Sequence, residues 1–350
     1  MKDQKKKILV CIDKIHNLNS GLGRVSIEYA MELINNNEYD YTFLVPKNYP
    51  ENDFFGHGIV RLTAWKRQFS GYMKEFDLVH LLYQSPSYSF RHAQKSLMTV
   101  HDINFMHVKN TGKRLKYKRK MQQIIDAVDS LCFISEFAKN DTNSNLNFDR
   151  SKRQRVIYNG VTDSCITTSK PAWCPVNFLF SIGIFTVKKN FHTLIPLLKS
   201  LPDTYTLVIA GDCNTAYGNQ IKKDIADSGL DKRVILPGMI SEEEKNYLYT
   251  HCEAFLFPSI AEGFGLPVIE AMKCGKPVFC SDRTSLKEIG NEYAYFWKNF
   301  EPSEMREIFA KGMADFDNIK AEKEIKYANS FTWKKNVDRY VELYKELINE

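Results

Sequence analysis

The chain has 350 residues, 43% of them hydrophobic and 26% charged, with a net charge of +6. That length exceeds one average domain and suits two of about 150 residues, and the composition is that of a folded globular protein rather than a disordered one. No apolar run approaches the roughly 18 residues of a membrane span, the basic start MKDQKKKILVCID lacks a signal-peptide cleavage pattern, and eight cysteines without C-x-x-C or zinc spacing favour a reducing compartment over a disulfide scaffold.

KKILVCID reads as a first strand, and GRVSIEYAMELINNN as a helix with apolar residues at helical spacing. YDYTFLVP, FDLVHLLY, SLMTVHD and DSLCFISE are short apolar runs that end on polar residues. Strands buried on both faces have this form, which predicts a parallel sheet covered by helices. Ser135 is placed to cap the helix after the last of them. VIYNGVTDSCITTSKPAWCP breaks the rhythm and predicts a linker near 160–176. The alternation then restarts with VNFLFSIGIF, KNFHTLIPLLKSLP, YTLVIAG, GNQIKKDIADSG, KRVILPG, SEEEKNYLYTHC and EAFLFPS. At the end, TWKKNVDRYVELYKELINE sets Val337, Tyr340, Val341, Tyr344, Leu347 and Ile348 on one helical stripe that needs a partner surface. The expected fold class is α/β: two Rossmann-like, doubly wound parallel-sheet lobes, residues 1–165 and 166–332, with a C-terminal helix, 333–350, returning to the first lobe.

One stretch asks for more than packing. AEGFGLPVIEAMKCGKPVFCSD, residues 261–282, sets Glu262 and Glu270 eight positions apart around Gly263, Gly265 and Pro267. Proline suits a first helical turn and Gly275 is placed to end the helix. N–H groups at the helix start favour an anion, and the glycines let backbone approach it without a Cβ in the way. A carboxylate about one turn in, at Glu270, would repel phosphate but can accept hydrogen bonds from paired hydroxyls such as those of a ribose. Glu262, ahead of the turn, would reach the ligand's other end. A sugar nucleotide offers hydroxyls, anion and hydroxyls in that order. The plainer reading is a loop cap and a solvated helix residue, but the strand–turn–helix setting that a ligand motif requires is present.

Three further segments carry chemistry. NSGLGR (19–24) fails as a dinucleotide fingerprint because Ser26 stands where the third glycine belongs. As a loop ahead of a helix it can still contact phosphate, or be a plain turn. TVHD puts His101 and Asp102 at the carboxyl end of a predicted strand, the edge where open α/β sheets gather ligands. Packing alone would make them a structural histidine and a turn cap. GIFTVKKN (183–190) ends a strand and opens a helix with Lys188 and Lys189. Lysines there are either a solvated helix start or point charges for a pyrophosphate.

EGFGLPVIEAMKCGKPV closely resembles the E-x7-E signature of retaining glycosyltransferases of family 4, which have the GT-B fold. The likeness runs in order through NSGLGR, HD, SEFAKND, VIYNGV, GIFTVKKN, LPGMISEEEKNYLY and the FTW before the last helix. The resemblance implies an enzyme that moves a hexose-type sugar from a nucleotide-diphosphate donor to a glycan or glycolipid acceptor of the cell surface, such as lipopolysaccharide, O-antigen or capsule. It implies that Gly21, Gly23 and Arg24 lie near the donor diphosphate or the acceptor. His101 would hydrogen-bond the donor sugar, with Asp102 orienting it or facing the acceptor. Lys189 would hold the pyrophosphate, Glu262 would position the sugar and Glu270 the ribose. Backbone N–H groups of Phe264, Gly265 and Leu266 would stabilise the leaving charge, and LPGMIS (236–241) would face the base. Many relatives have an arginine just after the glycine of GIFTVKKN. Ile184 stands there in this chain, and Lys188 is the candidate for the second charge. Retention with no evident nucleophile implies a same-face substitution in which the leaving phosphate helps deprotonate the acceptor. No DxD motif or metal triad stands out, so the reaction is expected to be metal-independent and to need no cofactor.

The charge is uneven: residues 1–165 hold 25 Lys and Arg against 17 Asp and Glu, and 166–350 hold 23 against 25. Much of the excess is KNTGKRLKYKRK (109–120) and RSKRQR (150–155). Such runs are most often solvated faces. Their functional reading is contact with anionic lipid or a phosphate-bearing acceptor, hence a cytoplasmic protein, peripheral on the inner face of the membrane, with no nucleic-acid partner. The competing classes are a non-catalytic nucleotide- or membrane-binding scaffold of the same fold and an NAD-dependent dehydrogenase. Ser26 counts against the second, and Glu262, Glu270, Lys189 and His101 against the first.

Overall fold

The computed structural model describes residues 5–15, 21–49, 57–108, 111–162 and 169–349. The chain forms two compact units, Met1–Gly160 with Thr332–Glu350, and Val161–Phe331.

Among the described residues, unit 1 has strands β1 (Lys7–Cys11), β2 (Asp40–Pro46), β3 (Gly58–Leu62), β4 (Leu78–Leu81), β5 (Ser96–Val100), β6 (Ser130–Phe133) and β7 (Arg153–Val156). They form one parallel sheet in the order β3-β2-β1-β4-β5-β6-β7. Residues of β4, β5 and β6 are buried throughout, as the continuous apolar runs require for a sheet covered on both faces. Helices α1 (Gly21–Leu33), α2 (Ala64–Gln68), α3 (Phe105–Val108), α4 (Thr111–Ala127) and α5 (Glu136–Asn145) connect them. Ser135 caps α5 by accepting from the Ala138 N–H at 3.0 Å.

Unit 2 repeats the plan with β8 (Phe178–Ile182), β9 (Thr206–Ala210), β10 (Val234–Gly238), β11 (Ala254–Phe257), β12 (Val278–Ser281) and β13 (Tyr295–Trp297). Their parallel order is β10-β9-β8-β11-β12-β13. Its helices are α6 (Leu194–Ser200), α7 (Ala216–Asp227), α8 (Glu242–His251), α9 (Leu266–Lys273), α10 (Ser285–Gly290), α11 (Pro302–Asp315) and α12 (Asn318–Ala328). In both units the strand order reverses beside the first strand, between β1 and β4 and between β8 and β11. Those switch points open a crevice at the carboxyl ends of the strands.

The last helix, α13 (Trp333–Ile348), belongs to unit 1 and lies on α1 and β4. Val337, Tyr340, Val341, Tyr344 and Leu347 of the expected stripe are buried, Leu343 joins them, and Ile348 is half-buried. Beneath the stripe, Tyr344 Oη lies 2.6 Å from Tyr29 Oη and 2.6 Å from His80 Nδ1. His80 Nε2 lies 2.8 Å from Thr99 Oγ1, which lies 2.9 Å from Tyr340 Oη. Burial holds the His80 imidazole neutral, its pKa pushed down to about 3. Gly160 lies flat under the helix start, where a Cβ would meet the Trp333 backbone N at 2.4 Å.

Three sequence expectations change. Residues 153–155, the end of the run most readily taken as a solvated face, belong to edge strand β7, and Arg153 and Arg155 both pair with Glu346 of α13. Gly21, Gly23 and Arg24 sit in the first turn of α1 rather than in a loop ahead of it, and Asn19 and Ser20 lie outside the described residues. Lys188 and Lys189 occupy a single 3-10 turn, Val187–Lys189, that left-handed Asn190 (φ 59°) separates from α6. Within the predicted linker, 163–168 lies outside the described residues.

Removing one hydroxyl from the buried network leaves Tyr29 and His80 each short of a partner. Tyr344→Phe is expected to lower unfolding free energy by about 1–3 kcal/mol, read from the denaturant midpoint at constant m-value.

Candidate active site

At the switch point of unit 2, β8 and β11 present the motif residues. After β11 the chain turns through Ser259 and Glu262 to Gly265, which adopts φ 117° and caps α9 without a side chain. A Cβ at Gly265 would come within 2.8 Å of Leu286 Cδ2, and the φ is one that glycine alone adopts freely. Pro267 fills the first helical turn, so this N-terminus has no capping side chain over its donors.

Glu262 is held from three sides. Its Oε1 accepts from Lys189 Nζ at 2.7 Å and from Ser259 Oγ at 2.7 Å. Its N–H donates to Thr284 Oγ1 at 3.0 Å, and its carbonyl accepts from Ser285 Oγ at 3.1 Å. Burial pushes the Glu262 carboxyl up, but the charges of Lys189 and Lys188 and the bonds from Lys189 and Ser259 outweigh it, and the net shift is below the ordinary carboxylate range. Glu262 is ionised at neutral pH. Thr284 itself has φ 53° and ψ −135°, a positive-φ conformation that is strained for a β-branched residue. The strain sits where a hydroxyl is needed on the Glu262 backbone.

Lys189 reaches Glu262 across Gly183, at the end of β8. Gly183 has φ 149°, and a Cβ there would lie 2.8 Å from Lys189 Cε. The ammonium also sits 4.6 Å from the centre of the Phe257 ring. Lys188 contributes its carbonyl, which accepts from Ile260 N–H at 2.8 Å and Ser259 Oγ at 3.1 Å. This turn therefore locks against the loop that carries Glu262.

Glu270 lies on the next turn of α9, its side chain 13% exposed. Tyr249 Oη donates to its Oε2 at 2.8 Å, and Lys245 Nζ stands 3.4 Å from Oε1. Lys245 also pairs with Glu242 at 2.8 Å. Ser241 and Glu244 form a capping box at the start of α8, the helix that supplies Tyr249 and Lys245. Phe264 is buried, with its ring 5.9 Å from Phe331, and its carbonyl accepts from Ser285 Oγ. Leu266 opens α9. Of LPGMIS, 236–238 close β10, Gly238 has φ 79°, and Met239 is exposed.

In unit 1, His101 and Asp102 follow β5 directly. His101 is 6% exposed and donates from Nε2 to the Leu82 carbonyl at 2.8 Å. Burial lowers its pKa against the opposing pull of that bond and of Asp102, so the ring is neutral and Nδ1 keeps its lone pair. Gln84 clamps the turn: Oε1 accepts from His101 N–H at 3.1 Å, and Nε2 donates to the Asp102 carbonyl at 2.9 Å. Asp102 Oδ1 accepts from Asn104 N–H at 3.0 Å, the turn-capping role open to it on packing grounds. Asn104 is buried with both amide atoms unpartnered. Such orphaned groups ask for a hydrogen-bonding ligand or water.

Sequence reading missed Ser259, Thr284, Ser285, Tyr249, Lys245, Gln84 and Asn104. Tyr249 and Lys245 lie on α8 and the others follow strands, and strand ends read systematically would have found Ser259, Thr284, Ser285 and Gln84.

Two family models match the chain: Glycosyl transferases group 1 over residues 175–331 and Glycosyltransferase Family 4 over 27–164. The chain is 24% identical to the O-antigen chain mannosyltransferase B of Escherichia coli over 97% of its own length and 100% of that protein. It is 29% identical to the O-antigen chain mannosyltransferase RfbU of Salmonella typhimurium, over 55% of this chain and 53% of that one. The crystal structure of Anabaena Alr3699/HepE in complex with UDP and glucose matches with a TM-score of 0.75 at 17% identity, covering 98% of this chain and 100% of that one. Two doubly wound parallel-sheet units with this likeness define the GT-B fold. With the two models spanning most of its length, the chain belongs to the family 4-like glycosyltransferases and is a sugar-transferring enzyme.

Because the Lys189 stem occupies the space a Cβ would take, Gly183→Ala is expected to displace the ammonium. Calorimetric titration with a nucleoside diphosphate should show affinity falling about tenfold or more.

Proposed function

We propose that the protein transfers a hexose from a nucleotide-diphosphate sugar to a hydroxyl of a glycan or glycolipid acceptor in O-antigen or lipopolysaccharide assembly, with retention and without a metal. Mannose leads among the sugars because the relative that matches over 97% of this chain, and several that match over about half of it, are named mannosyltransferases. The observation that carries the proposal is the Lys189–Glu262 pair beside the side-chain-free start of α9, with Glu270 one turn further on.

Lys189 and the N–H groups of Gly265 and Leu266, with that of Phe264, take the diphosphate. They lie in a part-buried setting where charge stabilisation is worth more than in water. Glu270, aimed by Tyr249 and Lys245, accepts hydrogen bonds from the two ribose hydroxyls. Glu262 exchanges its bonds to Lys189 and Ser259 for hydroxyls of the sugar. As the glycosidic bond to phosphate lengthens, positive charge builds on the sugar ring and negative charge on the phosphate. The cation beside the phosphate then gains more than in the ground state, which is what lowers the barrier. The leaving phosphate oxygen takes the proton of the incoming hydroxyl on the same face. In unit 1, neutral His101 offers Nδ1 as an acceptor to a sugar hydroxyl, and Asp102 and Asn104 serve the acceptor. Gly21, Gly23 and Arg24 supply the first turn of α1 to an anionic group, and Lys188 adds positive charge beside the diphosphate.

The membrane reading rests on α4, whose exposed face mixes basic residues with Leu115 and Tyr117 at 50% and 43% exposure. It also rests on the exposed stacked pair Trp65 and Phe69, which flank Lys66 and Arg67. Aromatic rings among basic residues suit an anionic lipid surface. No helix of the described residues is long and apolar enough to cross a membrane.

A thermal-shift series with UDP-glucose, UDP-N-acetylglucosamine, GDP-mannose and NAD is expected to show stabilisation by a sugar nucleotide and none by NAD. Glu262→Ala should keep the nucleotide shift while donor turnover drops about 100-fold or more. Equal donor hydrolysis by wild type and variant would favour a non-catalytic scaffold.

A further inference from the structure

A cavity of about 230 Å3 opens in unit 2 at the amino end of β13, the opposite sheet edge from Lys189 and Glu262. Its walls are Tyr293, Tyr295 and Phe316. Two of these rings are fixed from behind: Tyr293 stacks on Tyr327 at 4.6 Å, and Tyr295 on Phe279 at 5.0 Å. Glu324 of α12 also lines the cavity, although the residue is only 1% exposed. Neither of its carboxyl oxygens has a partner. A buried polar group without a partner costs free energy, so its persistence points to a ligand that completes it.

The charges around the cavity limit what that ligand is. Asp315 accepts from Tyr295 Oη at 3.0 Å and pairs with Lys320, and its carboxyl lies below the usual range through those bonds. Glu292 and Lys323 are exposed at the mouth. Burial pushes the Glu324 carboxyl up to about 9, so it is uncharged at neutral pH. Lys320 and Lys323 then stand against Asp315 and Glu292, and the cavity shows no excess of either sign to attract a cation or a phosphate. A neutral carboxylic acid presents one O–H donor beside one carbonyl acceptor. That pair matches adjacent hydroxyls, and aromatic walls suit the C–H faces of a pyranose ring. The volume is below the roughly 300–1,000 Å3 of drug-sized ligand sites, so it holds one ring rather than a nucleotide.

We propose that this cavity is a second sugar site, which binds a neutral hexopyranose through Glu324 between the rings of Tyr293, Tyr295 and Phe316. It is separate from the donor motif, and its occupancy does not depend on transfer.

The test titrates the methyl glycosides of mannose, glucose, galactose and N-acetylglucosamine into the full chain, read by saturation-transfer NMR and calorimetry. At least one glycoside is expected to bind wild type, with affinity lowered about tenfold or more in Glu324→Leu. Glu324→Gln keeps a donor beside an acceptor and should bind within about threefold of wild type. Glu324→Leu removes an unpartnered buried acid, so its melting temperature should hold or rise, which separates lost binding from lost folding. The proposal is overturned if no glycoside binds, if Glu324→Leu binds like wild type, if Glu324→Gln loses binding, or if n-butylamine or inorganic phosphate shows the Glu324 dependence instead.

Discussion

The contact between Lys189 and Glu262 organises unit 2. Both side chains are nearly out of water, 13% and 14% exposed, and taking two charges out of water costs more than an apolar pair of similar volume would. The surroundings show what keeps them there. Gly183 leaves room for the lysine stem, Ser259 shares the carboxylate, and Thr284 holds a strained conformation to bond the Glu262 backbone. Core packing asks for none of this. A site that must present positive charge to a ligand and a carboxylate to its hydroxyls asks for all of it.

The second acid–lysine contact, Glu270 with Lys245, follows the same logic one helical turn away. Each carboxylate faces a lysine, Glu262 with Lys189 and Glu270 with the Lys245 it shares with Glu242, which offsets negative charge near the start of α9 where its dipole is most positive. On the proposed function, a diphosphate arriving there would meet Lys189 and the helix start rather than two repelling acids. The β8/β11 switch point supplies the position, because parallel strands diverging on either side leave the carboxyl edge uncovered.

Much of this was legible in the sequence. β1, β4, β5, β6, β8, β9, β11 and β12 are continuous apolar runs, and the C-terminal helix shows its period directly. Among the edge strands, β10 was legible as KRVILPG but three were not: GIVRL, RQRV and YFW are short or half-exposed, and only pairing with a neighbour makes them strands. The E-x7-E spacing located the two glutamates but not their partners. Lys189 and Glu262 are 73 residues apart, and the positive φ of Thr284 has no local sequence signal. Nor does EKEIKYA in α12 distinguish buried Glu324 from its exposed neighbours. Burial of a single helical acid is decided by what packs over it.

The central claim, that Lys189 receives a diphosphate and is paired with Glu262 only until one arrives, is tested most directly by a double-mutant cycle. Calorimetric titration of a nucleoside diphosphate into wild type, Lys189→Met, Glu262→Gln and the double variant isolates the coupling between the two side chains. The account predicts that Lys189→Met loses most of the affinity and that Glu262→Gln, by releasing the lysine, keeps or raises it. It also predicts that the double variant binds as weakly as Lys189→Met. Equal affinity in wild type and Lys189→Met would contradict it.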